Sequence, residues 1–179
     1  SGSLPVSIDG QECRVSASIG IALFPDHGDS EQLLMKNADI AMYSAKEHGR
    51  NNAQIYSSVL QTLAVERLVL ETQLRHALDR GEFTLHYQPQ FLSRKRTLVG
   101  MEALLRWESP ELGTVTPGEF IPVAEATGLI PPIGQWVTKT ALDRISDWNH
   151  RFGKALRMGI NFSPKQFDVA GFIDTFEQQ

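Results

Sequence analysis

The alternation of apolar and polar positions changes period several times along the chain, and each change predicts an element. Val6 and Ile8 precede Asp9-Gly10, a pair that favours a type I′ turn, and a β-rich run from Cys13 to Phe24 follows, so a hairpin is predicted over 4–24. Val15, Ala17, Ile19 and Ile21 fall on one face of that run. Pro25 to Asp29 reads as a loop. Ser30 is then placed to cap a helix reaching about His48, with Gly49 as its stop and Leu34, Ala38, Ala41, Met42 and Ala45 as its buried stripe. A short strand is predicted over 53–56 and a second helix over 57–80. That helix has Leu60, Leu63, Leu70, Leu74, Ala77 and Leu78 on its apolar face and a favourable Glu71–Arg75 pair.

Period two returns over 82–92, where Phe83, Leu85 and Tyr87 face one way and Thr84, His86, Gln88 and Gln90 the other. After a polar turn at Ser93–Arg96, residues 97–107 form a central strand that is apolar except at Glu102 and Arg106. Alternation puts Glu102, Leu104 and Arg106 on one face. Ser109 to Gly113 reads as a loop, and Thr116-Pro117-Gly118-Glu119 opens a short helix over 120–126 that Gly128 ends. A longer helix is expected over 133–152, with Trp136, Val137, Ala141, Ile145 and Trp148 inward. A last strand over 156–162 has Arg157, Gly159 and Asn161 on one face. Strands alternating with helices predict an α/β fold.

Composition narrows the classes. Of 179 residues, 41% are hydrophobic and 21% charged, which describes a globular protein. A net charge of −4 with no basic face argues against a nucleic-acid polymer as partner. Cys13 is the only cysteine, so no intrachain disulfide forms and a reducing, cytoplasmic setting fits. No apolar run approaches the roughly 18 residues of a membrane span, so direct membrane insertion is not expected. The opening Ser1-Gly2-Ser3 reads as a cloning scar.

Four blocks carry a resemblance. Residues 82–107 (EFTLHYQPQFLSRKRTLVGMEALLRW), 116–130 (TPGEFIPVAEATGLI) and 160–167 (INFSPKQF), with the tripeptide Glu102-Ala103-Leu104, resemble the opening of an EAL domain, the bacterial cyclic-di-GMP phosphodiesterase module. Residues 15–52, through VSASIGIALFP and ADIAMYSAKEHGRNN, resemble the end of a GGDEF (diguanylate cyclase) domain. The resemblance implies three parts: the C-terminal αβ part of a GGDEF domain at 1–56, a connector helix at 57–80, and the N-terminal part of a TIM-like (β/α)8 barrel at 81–179. Such barrels take about 250 residues, so the expectation is a fragment of a longer protein. The resemblance implies a cytoplasmic, homodimeric parent, with a membrane tether through other segments left open. The parent would hydrolyse cyclic-di-GMP to the linear dinucleotide, and the fragment alone would be inactive. The competing reading is a non-catalytic cyclic-di-GMP receptor.

Phosphodiester hydrolysis needs an activated water and charge stabilisation on phosphoryl oxygens, which divalent ions held by oxygen ligands supply. The resemblance implies Mg²⁺ or Mn²⁺ on Glu102 and Asn161, a phosphate contact from Arg106, and ligand contacts from Gln88 and Leu104. It also pairs Lys46 with Arg50 on the phosphates of the cyclase part. Without it, Glu102 and Arg106 read as a structural ion pair, Asn161 as a turn former, and Lys46 with Arg50 as cations at a helix C-terminus. His86, His27 and His48 are read as bystanders, the last two facing solvent.

Overall fold

The structure, a computed structural model, describes residues 6–8, 11–13, 16–92 and 97–167. The chain divides into two compact units, Ser1–Leu68 and Val69–Gln179.

In the first unit, β1 (Val6–Ile8) and β2 (Gln11–Cys13) pair antiparallel as the expected hairpin, whose Asp9-Gly10 turn lies outside the described residues. Of the long strand expected from Cys13 to Phe24, the described residues show β2 reaching Cys13 and β3 at Ile19–Ile21, with 16–18 and 22–24 outside any strand. Val15 lies outside the described residues. Strand β3 pairs in parallel with β4 (Ala53–Ile55), and helix α1 (Glu31–Glu47) crosses between them. Gly20 sets how closely they pack. A Cβ there would fall 1.9 Å from the carbonyl oxygen of Ala38, so only glycine lets α1 lie this near the strand. Ala41 and Ala45 are fully buried as expected, whereas Leu34, Ala38 and Met42 are only partly covered. The stripe also holds Asn37 and Ser44, which the apolar pattern could not select. Asn37 donates Nδ2 to the His27 carbonyl (2.7 Å), and Ser44 bonds His48. His27 is half-buried, not solvent-facing: its Nδ1 accepts the Leu23 N–H and its ring meets Tyr56 edge-on.

The boundary between the units falls inside α2 (Ser58–Ala77). The helix stops at Ala77, three residues short of the expected end, and Leu63 is half exposed instead of buried. In the second unit, β5 (Phe83–Leu92) and β6 (Thr97–Ser109) form an antiparallel pair, and the turn between them lies outside the described residues. Strand β6 runs two residues further than expected, because β7 (Gly113–Val115) folds back on it where a loop was expected. Thr114 Oγ1 fastens that hairpin by donating to Glu108 (2.8 Å). Helices α3 (Pro117–Thr127) and α4 (Ile130–Phe152) then lead to β8 (Arg157–Ile160), which pairs in parallel with β6. Helix α4 begins three residues earlier than expected, since Pro131 and Pro132 occupy first-turn positions that lack intrahelical N–H partners anyway. Opening with an antiparallel strand departs from a regular (β/α)8 barrel, whose strands are all parallel.

The three helices pack on one face of this sheet. Trp107 and Phe120 are fully buried and meet edge-to-face at 5.6 Å, with Phe83, Leu74, Val123 and Val137 around them. The Trp107 indole donates to the buried Glu82 carboxylate at 2.8 Å. Burying a large ring is favourable only if its polar N–H finds such an acceptor.

Candidate active site

The register of the sheet sorts its side chains. In the β5–β6 pair, Phe83 lies opposite Trp107 and Leu85 opposite Leu105, which puts these residues on the helix-covered face. One position along, Thr84 pairs with Arg106, His86 with Leu104 and Gln88 with Glu102, and these share the other face. On the far side of β6, Glu102 lies beside Gly159 of β8, and Asn161 follows two residues later just past the strand's end. Asn161 Nδ2 donates to Glu102 Oε1 at 2.8 Å across 59 positions of sequence.

The site residues expected from sequence therefore divide. Gln88, Glu102, Leu104 and Arg106 share one face, and Asn161 is bonded to Glu102. Gln88 and Glu102 sit mid-strand in β5 and β6. Only Asn161 stands at an end. The structural ion pair of Glu102 with Arg106 is not formed among the described residues. The carboxylate is engaged by Asn161, while Arg106 Nη1 donates to the Leu105 carbonyl (2.8 Å). Lys46 and Arg50 do not share a helical face, since α1 ends at Glu47 and Arg50 has a left-handed backbone (φ 57°). Four-residue spacing aligns side chains only within a helix.

Can these residues hold a hard divalent ion? Glu102 offers carboxylate oxygens, and Asn161, which uses its nitrogen toward Glu102, offers Oδ1 as a neutral oxygen donor. Mg²⁺ and Mn²⁺ select that donor set. Among the described residues no group of three His, Cys, Asp or Glu side chains gathers to hold a metal, so the pair fits part of a coordination shell. A cavity of about 310 Å³ opens beside Asn161 between β6 and the helices α3 and α4, lined among others by Leu104, Arg106, Ile121, Glu125, Val137 and Asn161, and Glu102 is not part of its lining.

The loop bearing Asn161 is tied down by residues that sequence reasoning passed over. Ser163 Oγ donates to Glu125 Oε1 of α3 (2.5 Å), and Lys165 Nζ reaches the Glu125 carbonyl oxygen (3.1 Å). Gln166 is buried, and its Oε1 accepts the Ser163 N–H (2.9 Å). A signal was present: Ser163-Pro164-Lys165-Gln166 has the S-x-x-Q spacing of a reciprocal cap, and it caps the single 3₁₀ turn Pro164–Gln166.

An oxygen-donor pair on the uncovered face of a helix-backed α/β sheet defines the class of site. Residues 71–179, which carry it, match the profile of the EAL domain, and the chain belongs to the EAL domain family. Residues 2–52 match a second profile, the diguanylate cyclase GGDEF domain. The chain is 45% identical over 97% of its length to the bifunctional diguanylate cyclase/cyclic di-GMP phosphodiesterase MucR of Pseudomonas aeruginosa. It is 39% identical over 91% of its length to the cyclic di-GMP phosphodiesterase PdeR of Escherichia coli. It covers 25% and 24% of those proteins, so it spans about a quarter of the length of these curated relatives. Among solved structures, the PaMucR phosphodiesterase in its c-di-GMP complex matches with a TM-score of 0.58 at 43% identity, over 62% of this chain and 44% of that one. The EAL enzyme Bd1971, in its cAMP- and cyclic-di-GMP-bound form, matches with a TM-score of 0.59 at 30% identity, over 86% of this chain and 40% of that one. Among the described residues no helix is long and apolar enough to cross a membrane.

Proposed function

We propose that this chain is the junction of a cyclic-di-GMP signalling protein, with α2 as connector between a GGDEF part and an EAL part that hydrolyses cyclic-di-GMP to the linear dinucleotide. The observation that carries the reading is the Asn161–Glu102 bond, which joins two residues far apart in sequence on one polar face with Gln88 directly opposite. Glu102 and Asn161 would hold Mg²⁺ or Mn²⁺, which when bound supplies an activated water and neutralises phosphoryl charge. Arg106, on the same face, supplies a cation suited to a phosphate oxygen. Gln88 offers an amide for base or phosphate contact, and Leu104 an apolar wall. In the GGDEF part, Lys46 and Arg50 would be the nucleotide-phosphate contacts. The reading includes a cytoplasmic setting and a homodimer, the latter favoured by exposed Val59 and Val65 on α2.

Two oxygen ligands do not make a catalytic site, so the isolated chain is expected to show no turnover. The test is a chimera in which these residues replace the matching stretch of MucR. Cyclic-di-GMP hydrolysis with Mn²⁺ is expected to persist in it and to fall about a hundredfold or more in Glu102→Ala, as loss of a metal's charge stabilisation costs several kcal/mol. Unchanged turnover in that variant would remove Glu102 from the site.

A further inference from the structure

The loop from Asn161 to Phe167 is fastened at two points, one on each neighbouring helix. On α3, the Glu125 carboxylate accepts a hydrogen bond from the Ser163 hydroxyl at 2.5 Å, and its backbone oxygen accepts one from the Lys165 ammonium. On α4, the Gln166 side chain lies in a notch that exists because residue 134 is glycine: a Cβ there would stand 1.8 Å from Gln166 Nε2. Gln166 is 2% exposed and closes the loop on itself through the Ser163 N–H. Ser163 is thus held from both sides, by α3 through its hydroxyl and by Gln166 through its amide. It lies two residues after Asn161, whose carboxamide reaches Glu102 at 2.8 Å.

We propose that Glu125 is a positioning residue that, through Ser163, holds the Asn161 carboxamide against Glu102. The proposal rests on the reading of that pair as an ion site. Glu125 contributes geometry, not charge, at the ion. Outer partners that orient a ligating side chain are typically worth one to two orders of magnitude in metal affinity. Because Ser163 donates and Glu125 accepts, any acceptor of similar reach serves. Glu125→Gln should therefore preserve the arrangement and Glu125→Ala destroy it.

The test uses the ¹⁵N-labelled 179-residue chain, with the Asn161 side-chain amide signals identified by their loss in Asn161→Asp. In the metal-free chain, Glu125→Ala is expected to shift the bonded amide proton upfield toward the value of a free carboxamide, and Glu125→Gln to leave it in place. Ser163→Ala, which leaves α3 untouched, should give the same upfield shift, and it decides the matter if Glu125→Ala does not fold. Mn²⁺ alone is then titrated, and broadening around Glu102 is expected to need about tenfold more ion in Glu125→Ala than in the unsubstituted chain. An Asn161 signal unmoved by Glu125→Ala or Ser163→Ala overturns the positioning role. No Mn²⁺ broadening in the unsubstituted chain overturns instead the ion reading beneath it, and with it the purpose assigned to Glu125.

Discussion

In the first unit one helix, α1, lies on a two-stranded sheet, and its fully buried apolar residues are alanines, Ala41 and Ala45. In the second, three helices cover one face of a four-stranded sheet around Trp107, Phe120 and Leu74. Each sheet has one covered face and one open face, but the open faces differ in kind. Gly20 faces α1, so Ile19 and Ile55 lie on the face turned away from it, and both remain more than half exposed. The open face of the second sheet carries Thr84, His86, Gln88, Glu102 and Arg106. An uncovered apolar face is packing left incomplete. An uncovered polar face, backed by a rigid core, is where side chains can be held for chemistry.

The comparison breaks most readily at Trp107. Replacing it by alanine removes the centre of the second core and leaves the Glu82 carboxylate buried without its indole partner. A loss of about 3–5 kcal/mol is expected for the second unit, with β3, α1 and β4 unchanged. Hydrogen exchange followed by mass spectrometry separates the two, and equal loss in both units would mean that they do not fold independently. Gly20→Ala attacks the other side. Its new methyl group meets backbone, not a flexible side chain, so α1 must move off β3 at a cost of about 1–3 kcal/mol. Faster exchange should then be confined to the first unit. Glu102→Gln should cost the second unit under about 0.5 kcal/mol, because the new amide oxygen can still accept from Asn161 at a surface site. Mn²⁺ binding should nonetheless be lost. A large change in thermal stability instead would make Glu102 a structural residue.

How much of this was readable in the sequence follows the same division. The second sheet was legible, because strict alternation through Phe83–Gln90 and around Glu102 records a sheet with one apolar and one polar face. Sequence alternation also placed Asn161 on the polar side of its strand, but the Glu102 bond depends on the parallel register of β6 and β8, which nothing local encodes. Strand β7 was missed because three residues with a glycine carry no period. In the first unit, alternation put Ala17 and Ile19 on one face, and both are exposed, since alternation tells which residues share a face and not whether anything covers it. Asn37 and Ser44 were missed for the opposite reason. Their burial is made affordable by hydrogen bonds to the His27 carbonyl and to His48, partners set by tertiary placement.

The smallest effect expected separates the helix starts of the two units. Ser30 begins α1 without a side-chain bond to the helix, whereas at the start of α3 the Glu119 carboxylate accepts from both the Thr116 N–H (2.8 Å) and its hydroxyl (2.6 Å). The Thr116 hydroxyl, and after it the Thr116 amide, hold the Glu119 carboxyl below the ordinary glutamate value. A carboxyl lowered in the folded state contributes stability that is fully present above its unfolded value and is lost as pH falls through the lowered folded value. Acidification should therefore loosen the first turn of α3 as pH falls through that lowered value, while α1, with Glu31 in its first turn, has no side-chain cap bond from Ser30 to lose. Followed by NMR, the Thr116 amide proton should titrate with a midpoint below that of an unperturbed glutamate, and Glu119→Gln should flatten the curve. Glu119 is fully exposed, so salt and solvent screen the interaction and the change in global melting should be slight. A Thr116 amide that titrates identically in Glu119→Gln would assign the response to another group and remove this difference between the two helix starts.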